Sequence, residues 1–205
     1  MITGPKYKIA RRLGAPIFEK TQTAKFKASV ERDFNAKNGK KKKGGPRSDY
    51  GKQLIEKQKA RFTYGISEKQ FSNYVNKVIE SKSTTPIVKI FEALETRLDN
   101  VVYRLGLVPT RRFARQAVSH GHILVNGRRL TVPSFVVKIG DTVSIREGSK
   151  SNGIFSKIDE VVKKETPSWL TWNSDKQTAS VLKLPSIEGQ DLLFDLGTVI
   201  EFYKK

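Results

Sequence analysis

The sequence predicts an α+β fold, with helices over most of the chain, a small antiparallel sheet past its middle and an extended basic arm at its N-terminus. Three observations carry that prediction. Phe91, Leu94, Leu98, Val101, Val102 and Leu105 recur at helical spacing, leaving one apolar stripe. Asn126-Gly127 is the strongest two-residue hairpin signal, flanked by Ile123 and Val125 before it and Leu130 and Val132 after it. Up to about Arg47, by contrast, apolar islands such as Ile9 and Ile17-Phe18 show little sustained periodicity.

In chain order, Met1 to Arg47 reads as an arm that orders on a partner. Inside it, Asn38 to Pro46 ("NGKKKKGGP") combines turn formers with four consecutive lysines and reads as an exposed loop. It is not a phosphate loop, because no Gly-Lys-Ser/Thr opens a helix after a strand. Ser48 to Tyr64 predict a helix with Tyr50, Leu54 and the stem of Arg61 inward, Lys52, Lys57 and Lys59 outward, and Gly65 at its close. Ser67 and Gln70 make a capping-box pattern ahead of Phe71, Tyr74, Val75, Val78 and Ile79, so a second helix should pair with the first as a hairpin. After the "SKSTT" linker, Thr85-Pro86 starts one helix that runs through Leu105 and carries Arg97 and Arg104 about two turns apart on a common side. Gly106 and Pro109 end it.

Thr110 then caps a helix whose Arg111, Arg112, Arg115, Gln116 and Ser119 fan out around Phe113, Ala117 and Val118, and Gly121 stops it. In the hairpin Ile123 and Val125 point inward and Arg128 and Arg129 fall on the returning side; Gly140-Asp141 turns the sheet again toward Val143 and Ile145. Beyond the polar stretch Gly148 to Gly153, Ile154, Phe155, Ile158 and Val161 predict a helix. Trp169, Leu170 and Trp172 read as core, Ser180 to Leu184 as a short strand, and the chain ends on an apolar segment, Val199 to Tyr203. No repeat of fixed period is visible.

The formal charge of +19 implies a polyanionic partner, and its distribution sharpens that. Residues 1–52 hold 15 Lys/Arg against 4 Asp/Glu, and residues 94–146 hold 9 against 3. Charge therefore sits in two blocks, where a merely soluble surface would intersperse both signs. Eight of the 13 arginines lie from Arg97 to Arg146, the residue type preferred for gripping phosphates with a planar fork or stacking on bases. A membrane-surface role would need a basic helix with an exposed apolar face, and these stripes are used inside a core.

Catalytic chemistry finds no foothold. The chain has no cysteine, which excludes disulfides and thiolate metal sites. His120 and His122, the only histidines, stand two residues apart across a helix end with no third ligand nearby, so a phosphate donor or a structural cap is the better reading. No Ser nucleophile stands in a recognisable motif and no general acid and base pair is visible. No catalytic residue, metal or cofactor is expected, and a polar, basic N-terminus without a signal peptide points to the cytoplasm.

The residues "LETRLDNVVYRLG", "TRRFARQAVSHGHILVNGRRL" and "IGDTVSIRE" resemble the small RNA-binding module named after the fourth protein of the bacterial small ribosomal subunit. That module also occurs in pseudouridine synthases, tyrosyl-tRNA synthetases and a ribosome-associated heat-shock protein. The flanks favour the ribosomal family itself: "TGPKYKIARRLG", "SDYGKQLIEKQKARFTYGISEKQF", "PSWLTW" and "TVIEFYKK" resemble it in the same order. The resemblance implies a module at residues 94–153 inserted into a helical domain, 48–93, that residues 154–205 complete, with residues 1–47 as the arm. It implies binding of small-subunit (16S-type) ribosomal RNA, assembly of the 30S body, and a part in translational accuracy. The rRNA contacts expected are Lys6, Lys8, Arg11, Arg12, Lys52, Lys57, Arg61, Arg97, Arg104, Arg111, Arg112, Arg115, Gln116, Ser119, His120, His122, Asn126, Arg128 and Arg129.

The same resemblance places Lys40, Lys41, Lys42, Lys43 and Arg47 where messenger RNA enters the subunit, and the region of Phe202-Tyr203 against small-subunit protein five, with protein three as a further neighbour. Many family members hold the arm on zinc through four cysteines; here Arg11, Arg12 and RNA would hold it instead. Two other readings use the same module. "RLD", Arg97 to Asp99, matches the triplet that carries the catalytic aspartate of pseudouridine synthases, but no large sheet domain surrounds it. A regulatory RNA-binding protein is the other. The ribosome of the cytoplasm is the expected location, and an organellar ribosome stays open.

Overall fold

The computed structural model of the protein describes residues 4–39, 48–150, 153, 155, 166–174 and 176–204. In chain order they form α1 (Lys6–Leu13), a 3-10 turn (Glu19–Thr21), α2 (Ala24–Gly39), α3 (Asp49–Tyr64), α4 (Glu68–Glu80), α5 (Pro86–Glu95), α6 (Leu98–Arg104), α7 (Arg111–Ser119), β1 (Ile123–Val125), β2 (Arg128–Arg129), β3 (Thr142–Ile145), α8 (Glu147–Lys150), β4 (Leu170–Asn173), β5 (Thr178–Val181) and α9 (Leu196–Tyr203). The chain divides into two compact units, Met1–Ile87 with Gly189–Lys205, and Val88–Glu188.

In the first unit the N-terminal stretch is folded, not extended. Thr21 ties the turn after α1, its hydroxyl donating to the Phe18 carbonyl (2.7 Å) and accepting from the Phe18 N–H (3.1 Å); Thr23 caps α2 through the Phe26 N–H (3.3 Å). These turns gather Ala10, Leu13, Ala15, Ile17, Phe18 and Phe26 into one buried cluster, with Ile55 and Phe62 of α3 packed on it. The islands were too sparse to show a period, yet each large side chain so buried contributes about 1.5–3 kcal/mol. An apolar core therefore holds this segment where sequence reasoning gave the task to Arg11, Arg12 and RNA.

α3 and α4 start as their caps foretell, with Ser48 accepting from the Gly51 N–H and Ser67 from the Gln70 N–H, each at 3.2 Å. The inward face of α3 differs from the predicted one. Gln53, Lys57, Ala60 and Tyr64 are buried, while Tyr50 is exposed. The difference comes from α9, capped by Asp195 and packed along α3, with Val199 and Ile200 buried. Tyr64 meets Phe194 with ring centroids 6.2 Å apart, and Phe71 meets Tyr203 at the same distance. Lys57 is tolerated inside because its ammonium binds Glu68 (2.7 Å) and lies 4.6 Å from the Phe202 ring centre.

The second unit holds one five-stranded antiparallel sheet of order β2-β1-β3-β5-β4. Ile123, Val125, Val143, Ile145, Ala179 and Val181 alternate into a core shared with Leu98, Val102, Val118, Trp169 and Leu170. The sheet extends beyond the predicted hairpin. "LTWN" is itself a strand, and β5 begins at Thr178, two residues before the predicted start, hydrogen-bonding β3 in the register Val143 to Ala179. Residues 166–188 thus belong to the sheet's unit, and only the chain from Gly189 onward returns to the helical unit. The helix predicted around Ile154, Ile158 and Val161 lies outside the described residues, although Phe155 is buried in this core.

The single helix expected through Leu105 is two. Arg97 is extended (ψ 136°) and bridges Val136. The first N–H groups of α6 turn to other carbonyls, Leu98 to Phe135 (2.8 Å) and Asp99 to Pro133 (3.1 Å), while the Val137 N–H donates to the Thr96 carbonyl (2.9 Å). A passing loop thus satisfies the donors that a helix start leaves open, so the periodic stripe could break without cost to backbone bonding.

Candidate nucleic-acid interface

The helix break brings two acids inside. Glu95 and Asp99 are 0% and 3% exposed, and each binds arginine in bidentate fashion. Arg104 donates from Nε and Nη2 to Glu95 at 2.8 and 2.7 Å. The Asn100 amide donates to the same carboxylate (2.9 Å) and its oxygen accepts from Nε of Arg111 (2.8 Å), whose guanidinium stacks 4.3 Å from the Tyr103 ring centre. Asp99 accepts from Arg97 at 3.0 and 2.8 Å, and from Nε and Nη2 of Arg115 at 2.9 and 2.8 Å.

This network sorts the arginines that sequence reasoning treated alike. Arg97 is 1% exposed and cannot reach RNA, because α6 begins after it and turns its side chain onto Asp99. Arg104, Arg111 and Arg115 are anchored on one edge and partly exposed. Arg112 and Arg128 are exposed, with no hydrogen bond or ion pair among the described residues. Gln116, Ser119 and His120 share the open side, as does Arg129, whose guanidinium donates to the His120 carbonyl at 3.2 Å. Arg146, which sequence reasoning left out of the contact set, is exposed too, and its backbone N–H donates to the His122 carbonyl (2.8 Å).

Two predicted contact residues have structural duties. The Asn126 amide donates to Asp141 (2.7 Å), and its oxygen accepts from the Thr142 N–H (2.9 Å), stapling the hairpin to the next turn. His122 is half-buried with Nδ1 2.9 Å from the buried Ser149 hydroxyl. Burial holds this imidazole below its ordinary pKa, and the charges of His120, Arg146 and Arg129 push the same way. Asp141 also accepts from the Lys138 N–H (2.7 Å), so all three acids of residues 94–146 are bonded within the protein. The signal was available: three lone carboxylates in so basic a stretch are natural internal counter-charges.

In the first unit Lys8, Arg11, Arg12 and Lys52 are exposed; Arg11 reaches the Ser29 hydroxyl at 3.5 Å and Lys52 pairs with Asp49 at 3.0 Å. Lys6 stands 5.7 Å from the Phe18 ring centre. Lys57 is buried and Arg61 half-buried, both on Glu68 (2.7 and 3.3 Å), so Lys57 serves the interior. Burial alone would raise the Glu68 carboxyl. Hydrogen bonds from Lys57 and Tyr203 and the charges of Lys57 and Arg61 override that and hold it below the ordinary value. Tyr203 is pushed well up, by burial and then by its bond to Glu68 (2.9 Å). Lys40, Lys41, Lys42, Lys43 and Arg47 lie outside the described residues.

Two family models together match residues 1–143 of the chain. The Ribosomal protein S4/S9 N-terminal domain matches residues 1–95, and the S4 domain matches residues 96–143. The chain is 41% identical over 206 residues to the small ribosomal subunit protein uS4 of Christiangramia forsetii, covering 99% of this chain and 98% of the relative. It is 40% identical over 202 residues to uS4 of Amoebophilus asiaticus (98% of each chain), and 38% over 203 residues to uS4 of Limosilactobacillus reuteri (99% and 98%). The chain belongs to the uS4 family. Its S4 domain opens at the break between α5 and α6 and closes inside β3, so the matched segment contains α6, α7 and the β1–β2 hairpin. The strands β4 and β5 fall outside the match yet complete the same sheet. Among the described residues no group of three His, Cys, Asp or Glu gathers as a metal site would need, and no helix is long and apolar enough to cross a membrane.

Proposed function

We propose that this uS4-family chain is a structural protein of the small ribosomal subunit that binds small-subunit rRNA through the open side of α7 and the β1–β2 hairpin and helps to nucleate the body of the subunit. One observation carries this reading. Every acid of residues 94–146 is bonded within the protein, while Arg112, Gln116, Arg128, Arg129 and Arg146 are exposed, so the cations this stretch offers to a phosphate backbone are not offset by a free carboxylate of the same stretch. Fixed helices and a tight hairpin suit recognition of RNA shape over base sequence. Lys8, Arg11, Arg12 and Lys52 extend the set on the first unit, and Lys40 to Lys43 with Arg47 are assigned to messenger RNA where it enters. Lysine ammonium groups hold a sliding strand through charge alone, without reading its bases. The exposed Tyr50, whose ring centre lies 5.5 Å from that of Phe202, supports contact with small-subunit protein five near the C-terminus.

The pseudouridine synthase reading loses ground because Asp99, the aspartate of the "RLD" triplet, is buried and held by two arginines. Sedimentation of extracts from the source cell tests the proposal against a regulatory binder: the protein should travel with the small subunit, one copy each, through high salt. Release at moderate salt, or a substoichiometric yield, would refute the ribosomal reading.

A further inference from the structure

The turn between α7 and β1 holds an arginine in one place. Gly121 has φ +72°, and a methyl group on its Cα would sit 2.0 Å from Nε of Arg129 and 2.6 Å from its Cζ and Nη2. The guanidinium therefore lies against the bare Cα of Gly121. Its Nη2 donates to the carbonyl of His120, the residue that ends α7, where the helix dipole favours a cation. The Arg129 backbone is fixed as well, paired with Leu124 across the β1–β2 ladder. The side chain is thus tied at both ends although the residue is exposed. Its surroundings are positive: besides burial, the charges acting on the neighbouring His122 are those of His120, Arg146 and Arg129, with no carboxylate among them.

We propose that Gly121 is a positioning residue for RNA binding: having no side chain, it admits the Arg129 guanidinium against the end of α7 and aims the remaining N–H edge at a backbone phosphate. This rests on the RNA-binding reading above and assigns a source of its precision. Arg112 and Arg128 must lose their rotamer freedom when they bind, whereas the Arg129 guanidinium already rests against Gly121 with one N–H on the His120 carbonyl, so it has less freedom left to lose. A left-handed turn alone would accept asparagine at position 121, but room for the guanidinium requires glycine.

The test measures binding of the full chain to a small-subunit rRNA transcript from the same genome across a salt series, with melting temperatures in parallel. Arg129→Lys keeps the charge but loses the fork, so affinity should fall about tenfold with the salt slope unchanged. Arg129→Ala should in addition flatten the slope by about 0.7 to 0.9, one phosphate contact. Gly121→Asn, which tolerates the left-handed backbone, should match Arg129→Lys in affinity, and adding it to Arg129→Ala should cost nothing further. The proposal fails if both Arg129 variants bind like the wild type and lose only melting temperature, since Arg129 is then a helix cap alone. It also fails if the Gly121→Asn loss persists in full on the Arg129→Ala background. A wild-type chain that does not bind the transcript would sink the RNA-binding reading itself, a different result from either.

Discussion

Asp99→Asn isolates the value of the buried charge network. The Asp99 carboxylate is buried and serves Arg97, itself buried, together with Arg115, whose side chain is 31% exposed. An amide keeps the shape of the side chain but removes the negative charge and one acceptor edge. Arg115 can then turn to water. Arg97 cannot, and breaking a buried pair in this way costs about 3–5 kcal/mol because its charge stays inside without the bidentate carboxylate. Against a total stability of about 5–15 kcal/mol, that is enough to move the folding midpoint visibly. Trp169 and Trp172 both sit in the same unit as Asp99, so tryptophan fluorescence in a urea titration reads the right part of the molecule. Two companion variants fix the interpretation. Arg115→Gln should cost less than Asp99→Asn, because Asp99 keeps its bidentate Arg97 and no charge is left alone in the interior. The double change Arg97→Met with Asp99→Leu should recover most of the loss, since an apolar pair of similar volume replaces a buried ion pair at little cost. An Asp99→Asn cost below about 1 kcal/mol would refute the reasoning, because it would mean the Arg97 charge is compensated elsewhere.

The exposed and the anchored arginines should separate in one experiment: Arg112→Gln should weaken rRNA binding and leave the urea midpoint in place, whereas Arg104→Gln, which strips the buried Glu95 of its bidentate partner, should lower the midpoint first. The first unit should lose stability in acid. Glu68 and Asp195 both have folded-state pKa values below ordinary, Asp195 through the Thr198 hydroxyl above all (2.6 Å), so their contribution is complete above about pH 4.5 and disappears as pH falls through the folded values. Far-ultraviolet circular dichroism should accordingly show a shallower acid transition for Glu68→Gln with Asp195→Asn, from a lower starting stability at neutral pH. His122 acts at higher pH and with the same sign: its lowered pKa makes protonation unfavourable in the folded state, so a penalty opens as pH falls below about 6.5, and His122→Gln should remove that part of the fluorescence-detected pH dependence.

What was legible in the sequence was local. Ser48, Ser67 and Thr110 cap their helices, and Asn126 and Gly127 turn the hairpin with φ of +50° and +74°, because each signal is a bond or a torsion made within a few residues. What stayed hidden depended on distant partners. The helix stripe through Leu98 gave no warning of a break at Arg97, since the break is stabilised by carbonyls of Pro133 and Phe135. Lys57 looked solvated because its acceptors, Glu68 and the Phe202 ring, come from two other helices. In the N-terminal segment the period was absent but the core was not: Leu13, Ile17, Phe18 and Phe26 need Ile55 and Phe62 to become one. The contact set suffered likewise. A count of arginines cannot tell Arg97 from Arg112, and only the position of Asp99 does.

That division of labour follows from the problem a protein of net charge +19 faces before it meets RNA. Guanidinium groups crowded on α6 and α7 repel one another and oppose folding, most strongly when no polyanion is present. Acids on the same surface would offset the repulsion, yet they would also repel the phosphates that the proposed interface would bind. Placing Glu95 and Asp99 in the interior avoids the conflict. Inside, where screening is weak, each carboxylate acts on Arg97, Arg104 and Arg115 far more strongly than it would in water. Toward solvent the same charge is hidden behind the arginines it holds. The two acids thus offset the repulsion among the arginines while leaving Arg112, Arg128, Arg129 and Arg146 exposed, so the interior of this unit sets the character of its surface as much as the surface residues do.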